Sequence, residues 1–243
     1  MTDNVIIIPT RLEAKRLPNK PLMKINNKEM ILHVYEAAKK ADIGDVIVAS
    51  PNNLIQNLIN SNNGICVATK PNHETGTDRI FEVFDKFFKR EPKIIINLQG
   101  DMPNIDPNAI KLLSNYMKSN SCDIATLASS FRNQSEMDSM NNVKVVTQEP
   151  LSNEKFCSAL DFFRNNDDYN SRNIYHHIGI YAFTREALLR YVSLERTKKE
   201  LNRNLEQLRA LENDMKIHVG YISSAPLSVD TEEDLKNIKQ YMK

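Results

Sequence analysis

The chain has 243 residues, 41% of them hydrophobic, with 32 basic and 31 acidic side chains and a formal net charge of +1. That length can bury a sizeable core, and the near-neutral balance gives no general case for nucleic acid or a membrane surface, so any anion site must be local. No apolar run approaches the ~20 residues of a bilayer span, and the widely spaced Cys66, Cys122 and Cys157 read as reduced packing residues of a cytoplasmic protein.

The opening MTDNVIIIPT lacks the basic start and cleavage site of a leader, so 5–9 reads as a first strand. The next stretch, TRLEAKRLPNKP, is basic and carries two prolines, which marks a functional loop. Helical spacing follows at 30–41, a short strand at 45–49, and a helix at 51–60 with Leu54, Ile55, Leu58 and Ile59 on one stripe. A strand at 65–68 precedes an amphipathic helix from Thr75, carrying Ile80, Phe81, Val83, Phe84 and Phe87. The β-branched run 94–98 then stops abruptly at Gln99, Gly100 and Asp101. A strand buried on both faces of a parallel sheet reads this way, and ligands bind beyond the carboxyl ends of such strands. A helix at 107–117 completes an alternation that predicts a doubly wound, mostly parallel α/β sheet over the first half.

In the second half, strands are expected at 123–128, 143–147, 178–183 and 216–222, and helices at 186–191 and 198–211. The stretch 165–173 is the most loop-like, and Thr231 with Asp234 makes a capping box for a last helix. No repeat or linker is evident, so one domain with an inserted lobe fits best.

Four constellations can carry chemistry. Arg11, Arg16 and Lys20 in the basic loop suit a polyphosphate, although the loop matches neither GxxxxGK[ST] nor GxGxxG and a solvated basic loop explains it too. His73–Arg79, HETGTDR, turns into a helix with free N–H groups and hydroxyls, a cradle for a nucleobase or phosphate, or simply an N-cap at Thr75. Asp101 follows Gly100, a residue that lets a ligand approach the backbone, and Asp230 lies just outside the last helix without being needed for its cap. Two such carboxylates could share Mg²⁺, which takes few carboxylates plus phosphate oxygens and water. Last come YHHIGIY and LEQLR, with His177 at the loop edge of a strand. Adjacent His176 and His177 point to opposite faces and make a poor zinc site, while Glu206, Gln207 and Arg209 fit either a site or a helix's polar face.

PTRLEAKRLPNKPL, HETGTDR, NLQGDMP, HHIGIYAF, LEQLRALEN and VDTEEDL occur in the order and approximate spacing of the 3-deoxy-manno-octulosonate cytidylyltransferase (CMP-Kdo synthetase) family. The chain resembles that family from Val5 to its C-terminus. The resemblance implies a nucleotide-diphospho-sugar transferase fold with an inserted dimerisation lobe, and a homodimer. It implies one cytidylyltransferase domain over 1–243, with a nucleotide-binding half at 1–120 and a sugar-binding, dimerising half at 121–243. The implied reaction joins CTP to Kdo, giving CMP-Kdo and pyrophosphate for lipopolysaccharide synthesis. Asp101 and Asp230 are then expected to hold Mg²⁺ at the α-phosphate and the attacking hydroxyl. Arg11, Arg16 and Lys20 clamp the triphosphate, with Arg11 and Lys20 among the catalytic groups. Gly76, Thr77, Arg79, Gln99 and Gly100 meet the nucleotide. His177, Tyr181, Glu206 and Gln207 meet the sugar, with Arg164 for its carboxylate.

Five departures stand out: Ala14 for Ser, Asn19 for Gly, Met102 for Glu, Phe163 for the Ser before Arg164, and Arg203 for an acidic residue. The last two leave room for 8-amino-Kdo or another acidic sugar. A non-catalytic CTP sensor is a further alternative, while a glycosyltransferase of the same architecture lacks its DxD motif here.

Overall fold

β-Branched runs and amphipathic helices alternate from the first strand onward. The elements are β1 (Asn4–Pro9), the two-residue strands β2 (Lys24–Ile25) and β3 (Lys28–Glu29), α1 (Met30–Ala41), β4 (Asp45–Ser50), α2 (Asn53–Ser61), β5 (Ile65–Ala68), α3 (Gly76–Lys86), β6 (Ile94–Leu98) and α4 (Pro107–Ser119). These come from a computed structural model that describes residues 3–13, 16–153, 155–165 and 173–243. Strands β5, β4, β1 and β6 lie in that order and pair in parallel, with Ile6 between Val46 and Ile96. Parallel pairs need crossover helices, which cover the sheet, so β1 and β6 are buried at every position. The α2 stripe is narrower than its sequence suggests: Ile55 and Ile59 are buried, but Leu54 is exposed.

The chain continues with β7 (Ile124–Ser129), α5 (Gln134–Asp138), β8 (Lys144–Thr147), β9 (Cys157–Phe163), β10 (Ile174–Thr184), α6 (Arg185–Ser193), α7 (Lys198–Arg203), α8 (Gln207–Leu211), β11 (Ile217–Tyr221) and α9 (Glu232–Tyr241). Two compact units result: Met1–Ser114 with Pro226–Lys243, and Asn115–Ala225. The second is thus inserted in the chain, and α9 returns to the first, so the expected division at 120/121 does not follow the fold. Within the second unit β10, β7, β11, β9 and β8 lie in order, and β8 also pairs with β10, so the strands close on themselves. Only β11–β7 is parallel among those pairs.

This unit departs from its sequence pattern at two places. The run 198–211 is not one helix, because Asn204 takes a left-handed φ of 52° and ends α7. Strand β9 was not anticipated, since a buried Asp161 interrupts its apolar pattern.

Candidate functional site

The first unit gathers two carboxylates on one ammonium. Beyond β6, Gly100 turns the chain toward Asp101. A Cβ on Gly100 would meet Ile31 Cδ1 at 3.2 Å and Thr10 Cβ at 3.4 Å. The chain thus packs closely around this glycine, and a side chain here would have to push the Ile31 methyl aside by a few tenths of an ångström. The segment entering α9 is stitched alongside: Val229 N–H donates to Asp101 O (3.0 Å) and Leu227 N–H to Asn104 Oδ1 (2.8 Å). Thr231 and Asp234 form the expected capping box, and Asp230 N–H also donates to Asp234 (3.0 Å).

From the other side, the loop after β1 ends at Asn19, whose φ of 58° and ψ of 20° are left-handed, and Lys20 opens a 3₁₀ turn, Lys20–Leu22. Leu17, Ile25, Met30, Val229 and Ile238 are buried together, so one apolar cluster anchors both the loop and the approach to α9. Lys20 Nζ lies 2.9 Å from Asp101 Oδ2 and 3.0 Å from Asp230 Oδ1, and Arg16 Nη2 lies 2.9 Å from Asp230 Oδ2. Burial works against the Lys20 ammonium, but the two carboxylates outweigh it and raise its pKa above the ordinary lysine value.

Lys20 and Arg16 thus join the carboxylates, whereas Arg11 is exposed, with its charge felt at Glu13 and Arg79. Hard oxygen donors converging on one cation are the donor set that Mg²⁺ uses with phosphate and water. No group of three or more His, Cys, Asp and Glu assembles as a closed metal site among the described residues. The departure at Asn19 is explained: Asn is among the few non-glycine residues that visit this region routinely. Met102 is buried, and Ala14 lies outside the described residues.

The residues expected to meet the nucleotide lie in the same unit. Thr75 caps α3 in a capping box with Asp78. A Cβ on Gly76 would come within 3.3 Å of Gln99 Nε2. Gln99 Nε2 donates to Asn97 Oδ1 (3.1 Å), and Asn97 Nδ2 to the buried Thr77 hydroxyl (3.1 Å). Arg79 is 3% exposed and donates to Lys70 O (2.9 Å), Pro71 O (3.1 Å) and the Thr69 hydroxyl. Glu82 accepts from Lys70 N–H (2.9 Å) and pairs with His73 Nε2 (2.7 Å). The helix face therefore braces its own entry loop; Arg79 places three donors on the chain itself.

In the second unit, His177 lies inside β10, not at a loop edge, because the strand extends back to Ile174 and pairs with both β7 and β8. Its Nε2 is 2.9 Å from Thr126 Oγ1, which also faces Ile178 O (3.2 Å) and Ile180 O (2.7 Å). Thr126 has one hydroxyl proton and two carbonyls to receive it, so toward the imidazole it accepts, and Nε2 carries the proton. Burial pushes the His177 pKa down to about 3, so the ring is neutral with its lone pair on Nδ1. His176 turns elsewhere, stacked on Phe131, with Nδ1 3.3 Å from a Glu136 carboxylate oxygen.

Tyr181 lies 5.5 Å from the His177 ring, centroid to centroid, and burial, with the Glu206 charge, holds its hydroxyl protonated. The Arg164 charge acts on both His177 and Tyr181, so Arg164, His177, Tyr181 and Glu206 form one electrostatic neighbourhood. Arg164 Nη1 donates to Asn141 O (2.7 Å) and Met140 O (3.2 Å), and Phe163 is buried beside it in sequence. Gln207 is 6% exposed, and its Nε2 has no hydrogen-bond partner among the described residues.

Arg203 does not leave a reversed charge. It donates to Asp161 Oδ2 and Phe162 O, both at 2.8 Å, and Lys199 closes on Asp161 at 2.8 Å. Sequence reasoning missed the buried pair under α8: Arg209 donates to Glu200 through Nε (2.9 Å) and Nη2 (2.8 Å) and lies 4.5 Å over Tyr191. Arg209 is thus no polar helix face. The left-handed-tolerant Asn204 between the partners was the available signal.

The cytidylyltransferase family model matches residues 5–217. A 3-deoxy-manno-octulosonate cytidylyltransferase of Bartonella henselae is 40% identical over 239 residues, 98% of each chain. One from Methylorubrum populi is 38% identical over 242 residues, covering 98% of this chain and 96% of the relative. A solved CMP:2-keto-3-deoxy-manno-octonic acid synthetase complexed with CTP superposes with a TM-score of 0.88 at 33% identity, over 98% of both chains. A 4-diphosphocytidyl-2C-methyl-D-erythritol synthase from Anaerococcus prevotii shares the fold at a TM-score of 0.64 and 13% identity, over 99% of this chain and 98% of that one. The chain belongs to the cytidylyltransferase family, among its 3-deoxy-manno-octulosonate cytidylyltransferases.

Proposed function

We propose that this protein transfers CMP from CTP to the anomeric hydroxyl of Kdo, giving CMP-Kdo and pyrophosphate for lipopolysaccharide synthesis. The observation that carries the reading is the convergence of Asp101 and Asp230 on one cation beyond β6. It occurs in a chain 33% identical, over 98% of its length, to a synthetase solved with CTP.

The chemistry is in-line attack on the α-phosphate with departure of pyrophosphate, so catalysis is mainly positioning and charge neutralisation. Asp101 and Asp230 would hold Mg²⁺, which when bound neutralises phosphate charge and lowers the pKa of the attacking hydroxyl. Arg11, Arg16 and Lys20 supply cations for the triphosphate. Gly76, Thr77, Gln99 and Gly100 border the cytidine, and Arg79 braces the 69–71 segment that leads into α3. On the sugar side, neutral His177 offers an Nδ1 acceptor, Tyr181 a protonated hydroxyl, Glu206 a carboxylate, and Arg164 a charge matched to the sugar's acid group. The buried Gln207 Nε2 lacks an acceptor that a sugar oxygen would provide. The proposed functional form is a cytoplasmic homodimer.

Mass spectrometry of products from CTP with Kdo, 8-amino-Kdo or sialic acid tests the sugar. CMP-Kdo is the expected main product. Product from another sugar alone would reassign the substrate, and CTP binding without any product would favour a sensor.

A further inference from the structure

Asp101 and Asp230 are brought together by contacts that do not involve Lys20. Val229 N–H on Asp101 O and the capping box at Thr231 fix both backbones. Two carboxylates so held repel one another unless a cation lies between them. Lys20, by contrast, reaches them along a flexible stem and can leave. Its ammonium is within 3.0 Å of both, on a side chain 15% exposed.

We propose that Lys20 is the resident counter-ion of the nucleotide-free enzyme, occupying the place of the divalent cation until CTP arrives. The proposal rests on the reading of Asp101 and Asp230 as metal ligands and adds an order of events. Metal alone would have to evict a partly buried ammonium from the two carboxylates it pairs with among the described residues. The triphosphate supplies another anion, so the ammonium passes to the phosphates as the carboxylates pass to the metal. Nucleotide and metal therefore bind with strong positive coupling. Arg16 on Asp230 adds a second cation, but its side chain is 52% exposed and its hold is weak.

Mn²⁺ binding followed by electron paramagnetic resonance tests this on the full chain without turnover. Wild type and Lys20→Arg should bind Mn²⁺ weakly alone and tightly with a non-hydrolysable CTP analogue. Lys20→Met and Lys20→Gln should bind nucleotide-free Mn²⁺ at least about tenfold more tightly, and adding Asp101→Asn should erase the gain. Unchanged Mn²⁺ affinity in both neutral variants, folded by circular dichroism, would overturn the proposal while leaving the metal reading intact. If the analogue recruits no Asp101-dependent Mn²⁺ to wild type, the metal reading fails and the proposal with it.

Discussion

Asn19 shows how a single dihedral positions chemistry. Its left-handed turn immediately precedes Lys20, the residue that joins the two carboxylates. Asn19→Gly should change unfolding free energy by less than about 1 kcal/mol, whereas Asn19→Val should cost at least about 1–2 kcal/mol in urea titrations and lower turnover. His177 makes a pH prediction. Its folded pKa of about 3 lies below the ordinary 6.5, so the unfolded state binds more protons between those values. Stability from this group is present above pH 6.5 and is lost as pH falls toward 3, at up to about 1.4 kcal/mol per unit. Urea midpoints over that range should fall less steeply for His177→Gln than for wild type. Asp101, Asp230, His177 and Gln207 stand out in the sequence as candidates; the structure brings the first two onto one ammonium and buries the other two. The Thr126 partnership that sets the imidazole tautomer is not legible there, because it depends on cross-strand register.

At the scale of elements, periodicity located what is regular and missed what polar burial decides. Helix α1 and the α9 cap follow directly from spacing and capping chemistry. β9 carries the buried Asp161, closed by Arg203 from 42 residues away, and the α7–α8 break at Asn204 sets Glu200 against Arg209. Glu200 is fully buried with Arg209 and Arg196 on it. Removing one side of such a pair costs about 3–5 kcal/mol. Glu200→Leu should lower the melting temperature by roughly 10 °C, and a melt within error of wild type would contradict this role. Arg203, which in sequence looked like a reversed charge on the sugar side, is closed by Asp161 and gives no structural ground for a different sugar.

For the whole molecule, the order of motifs along the chain was enough to expect the family, while the unit boundary was not legible. No linker marks the return of the chain at residue 226; it is held by the Val229 and Leu227 hydrogen bonds and the Leu17–Val229 apolar cluster, which sequence patterning does not reveal. Sedimentation velocity should give a dimer mass, and a sole species at the 27.9 kDa of one chain would contradict the homodimer. On the proposed reading, Asp101 and Asp230 form the reaction centre, and pyrophosphate release from CTP, Kdo and Mg²⁺ by wild type and Asp101→Asn tests it. Release by wild type, with a loss of about 10³-fold or more in the variant at unchanged secondary structure, is the predicted result. Turnover by Asp101→Asn near the wild-type rate would contradict it.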